Sequence, residues 1–147
     1  MNIVFGSDEK NYLTDALVAE LERRGHTVAL VGPPAGTDEA WPNVGRAVGQ
    51  AVASGAVEQG IVCCYTGTGV SMAANKVPGV RAALCHDAQT AEGARKWNHA
   101  NVLALSLRTT TPDLGREILD AWFAAPCPPE EQVYVDQVSA IDDRYRR

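Results

Sequence analysis

The densest group of residues that could do chemistry is the run Cys63–Ser71, which reads CCYTGTGVS. It follows an apolar segment of strand type and leads into a segment of helical type. Gly67 and Gly69 allow the backbone to approach a ligand closely and to turn its N–H groups inward as an anion-binding nest. The spacing matches neither a dinucleotide-binding fingerprint nor a P-loop, so the run alone is equally consistent with a structural turn.

Within this run, Cys64 has the side chain best suited to proton transfer. A thiol at the carboxyl end of a strand, close to a helix N-terminus, can become a thiolate base or nucleophile. Successive side chains of a strand point to opposite faces, so we expect one of Cys63 and Cys64 to be an inert core residue and the other to face a cleft. On spacing alone, a purely structural role for both cysteines stays open.

Three other residues that could contact a ligand each allow two interpretations. Asp8 follows the first apolar run and is either a helix cap or a carboxylate that binds substrate hydroxyls. Arg108 follows the last apolar run and either holds an anion or is solvated. Trp97 is either a core residue or a flat face on which a sugar ring can rest.

The elements that position these residues are five apolar runs separated by segments with helical spacing. Apolar residues on both faces of each run predict buried parallel strands. Strand–helix alternation predicts a three-layer α/β/α fold in one domain over residues 1–147, with ligands bound beyond the carboxyl ends of the strands. The predicted strands are Asn2–Phe5, Thr27–Val31, Gly60–Cys64, Val80–Cys85 and Asn101–Leu105. The predicted helices include Leu13–Leu21, Val44–Val52, Met72–Lys76, Ala88–Trp97, Pro112–Ala124 and a polar helix that runs from Pro129 towards Asp142.

Composition narrows the possible functions. The 147 residues include 13 Lys plus Arg and 18 Asp plus Glu, for a net charge of −5, which argues against nucleic-acid binding. No apolar run approaches the roughly 18 to 20 residues of a membrane span, and the N-terminus is unlike a signal peptide. The four cysteines form no C-x-x-C pair and the three histidines are scattered, so we expect no metal and no cofactor. We expect a cytoplasmic protein that contacts neither membrane nor nucleic acid.

The run from Gly67 to Asp87, GTGVSMAANKVPGVRAALCHD, closely resembles the ribose-5-phosphate isomerase B family, which includes the galactose-6-phosphate isomerase subunits. Gly6–Asp8 and Asn98–Arg108 match as well, and the resemblance extends from residue 2 to about residue 125. It implies a five-stranded, metal-free Rossmann-like sandwich that works as a homodimer or homotetramer with sites between subunits. Members of the family interconvert aldose and ketose sugars, usually phosphorylated, through a cis-enediolate.

The resemblance also implies roles for individual residues. Cys64 corresponds to the base that moves the proton, and Thr66 to a hydroxyl that assists ring opening. The backbone from Gly67 through Gly69 to Ser71 corresponds to the loop that stabilises the enediolate. Asp8 and Asn98 correspond to residues that bind substrate hydroxyls, and Arg108 to a basic residue near the site.

Departures from the family pattern alter the expected substrate. Glu9 replaces a phosphate-binding histidine, and Glu130 and Tyr134 align with arginines that clamp phosphate. A carboxylate repels a phosphate dianion, so we predict that the chain does not bind a 5- or 6-phosphorylated sugar in the usual way. Trp97 replaces the histidine that opens the sugar ring, and a tryptophan transfers no protons. Trp41 replaces a tyrosine, and both tryptophans can stack on a sugar.

We therefore expect an aldose–ketose isomerase of carbohydrate metabolism that acts on a non-phosphorylated or short-chain sugar. Two alternatives remain. The chain could act on an ordinary sugar phosphate, with Arg108, Lys10 or a basic residue of a partner subunit holding the phosphate. It could instead be a non-catalytic sugar-binding homologue or partner subunit, for which the missing histidine is the main argument.

Overall fold

The computed structural model describes residues 1–146 and confirms the predicted three-layer α/β/α fold. The five-stranded sheet is parallel throughout, in the order β2-β1-β3-β5-β4. No helix within residues 1–146 is long and apolar enough to cross a membrane. The strands are β1 (Asn2–Ser7), β2 (Thr27–Val31), β3 (Gln59–Cys64), β4 (Ala82–Leu84) and β5 (Val102–Ser106). The helices are α1 (Tyr12–Arg23), α2 (Trp41–Ala53), α3 (Thr68–Asn75), α4 (Ala88–Asn98), α5 (Pro112–Ala124) and α6 (Gln132–Tyr145), with short 3-10 turns at Pro33–Ala35 and Pro129–Glu131.

Two hydrophobic cores lie on the two faces of the sheet. Helices α1, α4 and α5 cover one face, where Trp122 is buried and its indole N–H donates to Gln59 Oε1 over 2.7 Å. Helices α2 and α3 cover the other face with a core built mainly from valines. Because side chains alternate along β3, Cys63 enters the first core and Cys64 the second. The sheet therefore separates the two adjacent cysteines.

The prediction of five buried strands is wrong for the two edge strands. β2 is mostly exposed, and β4 is only half-buried and shorter than the apolar run that predicted it. Both lie at the edges of the sheet, where only one neighbouring strand is present. The helices packed on a parallel sheet bury its faces, and this cover is incomplete at the two edges. A sequence pattern alone does not specify which strands lie there.

Helix α3 begins at Thr68, four residues before the predicted start at Met72. The chain turns directly after β3 because Gly67 adopts φ = 76°, a left-handed conformation. A Cβ at this position would lie 2.6 Å from Leu84 Cδ1 and 2.9 Å from the Leu105 carbonyl oxygen, so only glycine fits. The early turn places the N-terminus of α3 beside the end of β3.

At the end of α1, Glu20 holds two arginines and makes stability depend on pH. Its carboxylate accepts hydrogen bonds from Arg23 (2.6 and 2.9 Å) and Arg24 (2.8 Å). These contacts, Arg23 first, lower the pKa of Glu20 from 4.5 to about 2. A carboxyl whose pKa is lower in the folded state stabilises the fold above its unfolded pKa. This stabilisation is lost as pH falls from 4.5 towards 2.

A Glu20→Gln variant is expected to lose about 1 to 2 kcal/mol of unfolding free energy at pH 7, because a neutral amide replaces a charge-assisted acceptor. Its stability is also expected to fall less than that of the wild type between pH 4.5 and 2. Denaturant titrations across this range measure both effects. Glu22→Gln, exposed on the same helix, is the control. Equal losses in the two variants would contradict the role of Glu20.

Candidate active site

The site lies where two central strands end side by side. β1 and β3 are parallel neighbours, and their register pairs Ser7 with Cys63. Asp8 directly follows β1, so it comes next to Cys64, the last residue of β3. The connection from β1 leads to β2 on one side, and β3 connects to the strands on the other side. A crevice opens at such a switch point, beyond the carboxyl ends of the strands.

A cavity of about 330 Å³ occupies this crevice. Of the residues that the sequence predicted for the site, five line it: Asp8, Trp41, Cys64, Thr66 and Gly69. Three further residues line it. Tyr65 and Met72 were not predicted, and Thr68 was predicted only as part of the Gly67 to Ser71 backbone. The sequence could have indicated the Thr68 side chain, because its hydroxyl comes two residues after that of Thr66 in the same turn. Met72 had none, because its position depends on the early start of α3.

Among the buried thiols, Cys64 has a distinct environment. Cys63 is fully buried in the opposite core, and burial raises the pKa of its thiol well above the ordinary range. Burial likewise raises the pKa of Cys85 to about 12. Cys64 is 5% exposed, and its side chain lines the cavity. Of these three thiols, Cys64 is the one placed to meet a ligand.

The N-terminus of α3 supplies donors for negative charge. Thr68 and Gly69 form the first turn of α3 and line the cavity. The first N–H groups of a helix have no partner within the helix, and the helix dipole adds positive potential there. The cavity therefore places a helix N-terminus where an oxyanion of a ligand would bind. Gly67 is the N-cap of this helix, and Ser71 lies in its second turn. Neither of these two predicted site residues lines the cavity.

The loop that carries Cys64 to Thr68 is held firmly by the end of β5. Leu107 N–H donates to the Cys64 carbonyl over 3.0 Å, and Arg108 N–H donates to the Tyr65 carbonyl over 2.9 Å. The Ser106 hydroxyl donates to that Tyr65 carbonyl as well, over 3.0 Å. These bonds fix the backbone from which the cavity residues project.

Two hydroxyls lie against each other at the cavity. The Oγ1 atoms of Thr66 and Thr68 are 2.7 Å apart, which is a hydrogen bond in which either can donate. Such a pair can pass a proton between two neighbouring oxygens of a ligand, because each hydroxyl both donates and accepts.

Asp8 is free to face the cavity because another residue caps α1. The Asn11 side chain accepts from the N–H groups of Leu13 and Thr14, both over 3.0 Å, so the capping interpretation of Asp8 is wrong. Burial raises the pKa of Asp8, and the charge of Glu9 adds to the effect. Glu9 itself is exposed and does not line the cavity. Within residues 1–146, no three His, Cys, Asp or Glu side chains cluster so as to hold a metal ion.

Arg108 does not line the cavity itself, but it contacts Tyr65, which does. Its guanidinium carbon lies 5.8 Å from the centroid of the Tyr65 ring, and Nη1 donates to the Tyr65 hydroxyl over 3.1 Å. Lys10, the other cation considered from the sequence, is engaged by both carboxylate oxygens of Asp15 at 2.5 and 2.7 Å. Arg108 is therefore the better placed of the two to meet an anion.

Trp97 and Asn98 lie away from the Cys64 cavity, at the other end of the strands. Helix α4 follows β4 and leads back to the start of β5, so its C-terminal end lies near the amino ends of the strands. There Trp97 and Asn98 line a separate hollow together with Tyr134, one of the two positions aligned with phosphate-clamping arginines. Glu130, the other, is exposed just before α6. Neither Trp97 nor Asn98 reaches the Cys64 cavity of its own chain.

The thiol, the hydroxyl pair and the helix N-terminus at this switch point suit an enzyme of the class that moves a proton beside a carbonyl group. Residues 3–141 match the family model described as Ribose/Galactose Isomerase, and the chain belongs to this family. It is an aldose–ketose isomerase, as the resemblance implied.

The similarity to known members extends along most of the chain. The D-erythrulose-4-phosphate isomerase of Pectobacterium atrosepticum is 39% identical over 131 residues, covering 85% of this chain and 84% of that protein. Ribose-5-phosphate isomerase B of Escherichia coli is 37% identical over 144 residues, covering 97% of each. The structure of Clostridium thermocellum ribose-5-phosphate isomerase B superposes with a TM-score of 0.92 at 38% identity, over 99% of both chains.

Proposed function

We propose that this protein interconverts a four-carbon aldose and ketose that carry a phosphate on O4, with Cys64 as the base. The observation that carries the proposal is Trp97 at the position of the ring-opening histidine. A four-carbon sugar closes a five-membered ring only through O4, and a phosphate on O4 blocks that closure. Such a substrate is always open-chain and needs no ring-opening acid. The relative named D-erythrulose-4-phosphate isomerase supports this choice of substrate.

In the proposed reaction, the Cys64 thiolate removes the proton from C2 of the aldose, and the electron pair forms the C1–C2 double bond of a cis-enediolate. The N–H groups at the start of α3 stabilise the negative oxygen that develops. The Thr66–Thr68 hydroxyl pair passes a proton between O1 and O2. Cys64 then returns its proton to C1, which gives the ketose and restores the thiolate. Asp8 accepts a hydrogen bond from the O3 hydroxyl and so orients the chain.

We assign the phosphate to Arg108. An O4 phosphate lies two carbons from C2, so it sits closer to the reacting atoms than a phosphate on O5 or O6. A nearby cation at the rim serves this shorter substrate, whereas Glu130 and Tyr134 provide no cation for a longer one. This proposal agrees with the expectation that the chain does not bind a 5- or 6-phosphorylated sugar in the usual way.

An Arg108→Ala variant is expected to raise the KM for tetrose 4-phosphate by at least about tenfold, because a charge-assisted hydrogen bond is worth about 1.5 to 3 kcal/mol. The kcat is expected to change less. Steady-state kinetics with phosphorylated and free tetrose measure the effect, and Arg116→Ala on α5 is a control of equal charge. If KM rises equally for the free sugar, Arg108 does not bind the phosphate.

We further propose that the active unit is a homodimer, alone or within a homotetramer, in which the α4 end of one subunit completes the Cys64 cavity of its partner. Trp97 is 56% exposed, although it is a large aromatic residue. Helix α6 also presents exposed apolar side chains that a second copy would cover: Val133, Tyr134, Val138 and Ile141. Because the cytosol keeps free thiols such as that of Cys64 reduced, we place the enzyme in the cytoplasm.

The reaction is tested by NMR in deuterated water with tetrulose 4-phosphate as substrate. The expected result is conversion to the aldose, with deuterium appearing at the carbon that receives the proton, because a thiol exchanges with solvent. Free tetrulose is the matched substrate without phosphate. Conversion of free tetrulose alone would support the non-phosphorylated alternative. Binding without any conversion would support the non-catalytic one.

A further inference from the structure

Two hollows on this face of the molecule share a wall. Besides the Cys64 cavity, an apolar groove of about 570 Å³ lies between α2 and α3. Two residues line both, Trp41 and Met72, which we call the partition. Two cations, Arg46 and Lys76, also line the groove, each about one helical turn beyond a partition residue. The partition therefore separates the cavity that holds Cys64 from a wider groove with two positive charges in its lining.

The position of the Trp41 indole follows from the backbone at the start of α2 and from Gly69, which has no side chain to displace the ring. Trp41 is the first residue of α2, and Pro42 follows it and restricts the backbone. Its ring lies directly on Gly69, where a Cβ would come within 2.9 Å of ring atoms Cδ2 and Cε3. Because Gly69 has no Cβ, the indole can pack directly against the first turn of α3, whose N–H groups are the oxyanion donors. Trp41 is 41% exposed, so its ring also forms the outer edge of the cavity.

We propose that the partition is the specificity-determining element that limits the length of the sugar chain, with Trp41 as its main residue. This inference rests on the proposed function and deepens it. A chain longer than four carbons, with its reacting end at Cys64, must extend past the cavity wall. The indole and the Met72 side chain occupy the direct path into the groove. Without the partition, a terminal phosphate could continue towards Arg46 and Lys76.

The test compares kcat/KM for ribose 5-phosphate with kcat/KM for tetrose 4-phosphate in the wild type and in three variants. Trp41→Ala is expected to raise this ratio by at least about tenfold, since pocket size discriminates one carbon by about 10- to 200-fold. Met72→Ala, at an exposed position that does not threaten folding, is expected to raise it in the same direction by less. Gln50→Ala, in the groove but outside the partition, is the control and is expected to leave the ratio unchanged.

The outcomes separate this inference from the proposed function. If the wild type prefers tetrose 4-phosphate and neither partition variant raises the ratio, the partition does not select chain length and only this inference fails. If Trp41→Ala does not fold, Met72→Ala decides alone. If the wild type prefers ribose 5-phosphate, the proposed substrate is wrong and the partition excludes nothing, so both fail.

Discussion

A Cys64→Ala variant is expected to lose about a thousandfold in kcat while its KM changes by less than about threefold. General-base catalysis contributes about 10²- to 10⁴-fold, and a methyl group accepts no proton. The thiol lines the cavity, but substrate binding rests on Asp8, the α3 N-terminus and Arg108, which the variant retains. Removing a group that acts only in the transition state lowers kcat and leaves KM nearly unchanged. Steady-state kinetics at saturating substrate measure this loss directly.

The adjacent cysteine supplies the matched control. Cys63 differs by one position and lies on the opposite face of the sheet, fully buried among the residues beneath α1, α4 and α5. Cys63→Ala is expected to cost about 1 kcal/mol of stability, measured as a small drop in Tm, and to keep kcat within about threefold of the wild type. If Cys64→Ala remains fully active, or if both variants lose activity equally, Cys64 is not the base.

Mixing two inactive variants is expected to restore activity under the proposal that each active site draws on two subunits. Asn98→Ala alone is expected to lose about a hundredfold, since a donor that orients the substrate is removed. When Cys64→Ala and Asn98→Ala chains are mixed at random, a site is intact if one chain supplies Cys64 and its partner supplies Asn98. This holds for about one site in four, so about a quarter of wild-type activity is expected.

The experiment mixes the two variants under denaturing conditions, refolds them together and measures kcat per total protein. Each variant refolded alone is the control and should stay nearly inactive. A mixture that remains as inactive as its components would mean that Cys64 and Asn98 serve the same chain's site or that Asn98 plays no part. Either result would overturn the shared site.

Local patterns predicted most of the helices and strands, because hydrophobic periodicity and helix-end signals depend on residues that are close in sequence. Helix α5, for example, runs from Pro112 to Ala124 in the structure, as predicted. The burial of β2 was predicted wrongly, because the position of a strand within a sheet depends on pairings with distant residues. The capping role considered for Asp8 was wrong for a related reason, since Asn11 competes for the same function a few residues later.

The candidate site was predictable where it follows from strand ends. Asp8 and Cys64 each come at the end of a strand, and parallel neighbours bring such residues together. Met72 and the partition were not predictable, because they depend on the packing of α2 against α3 and on where α3 starts. The separation of Trp97 from Cys64 follows from the return path of α4, a property of topology rather than of any local motif.

The proposed substrate is tested most directly by the order of kcat/KM values for tetrulose 4-phosphate, ribose 5-phosphate and free tetrulose. We expect tetrulose 4-phosphate to be turned over at least about tenfold more efficiently than either of the others, because it is open-chain, fits the cavity and carries an anion for Arg108. Equal or higher efficiency with ribose 5-phosphate would contradict the proposed function, since the enzyme would then convert a cyclic, five-carbon substrate without the ring-opening histidine.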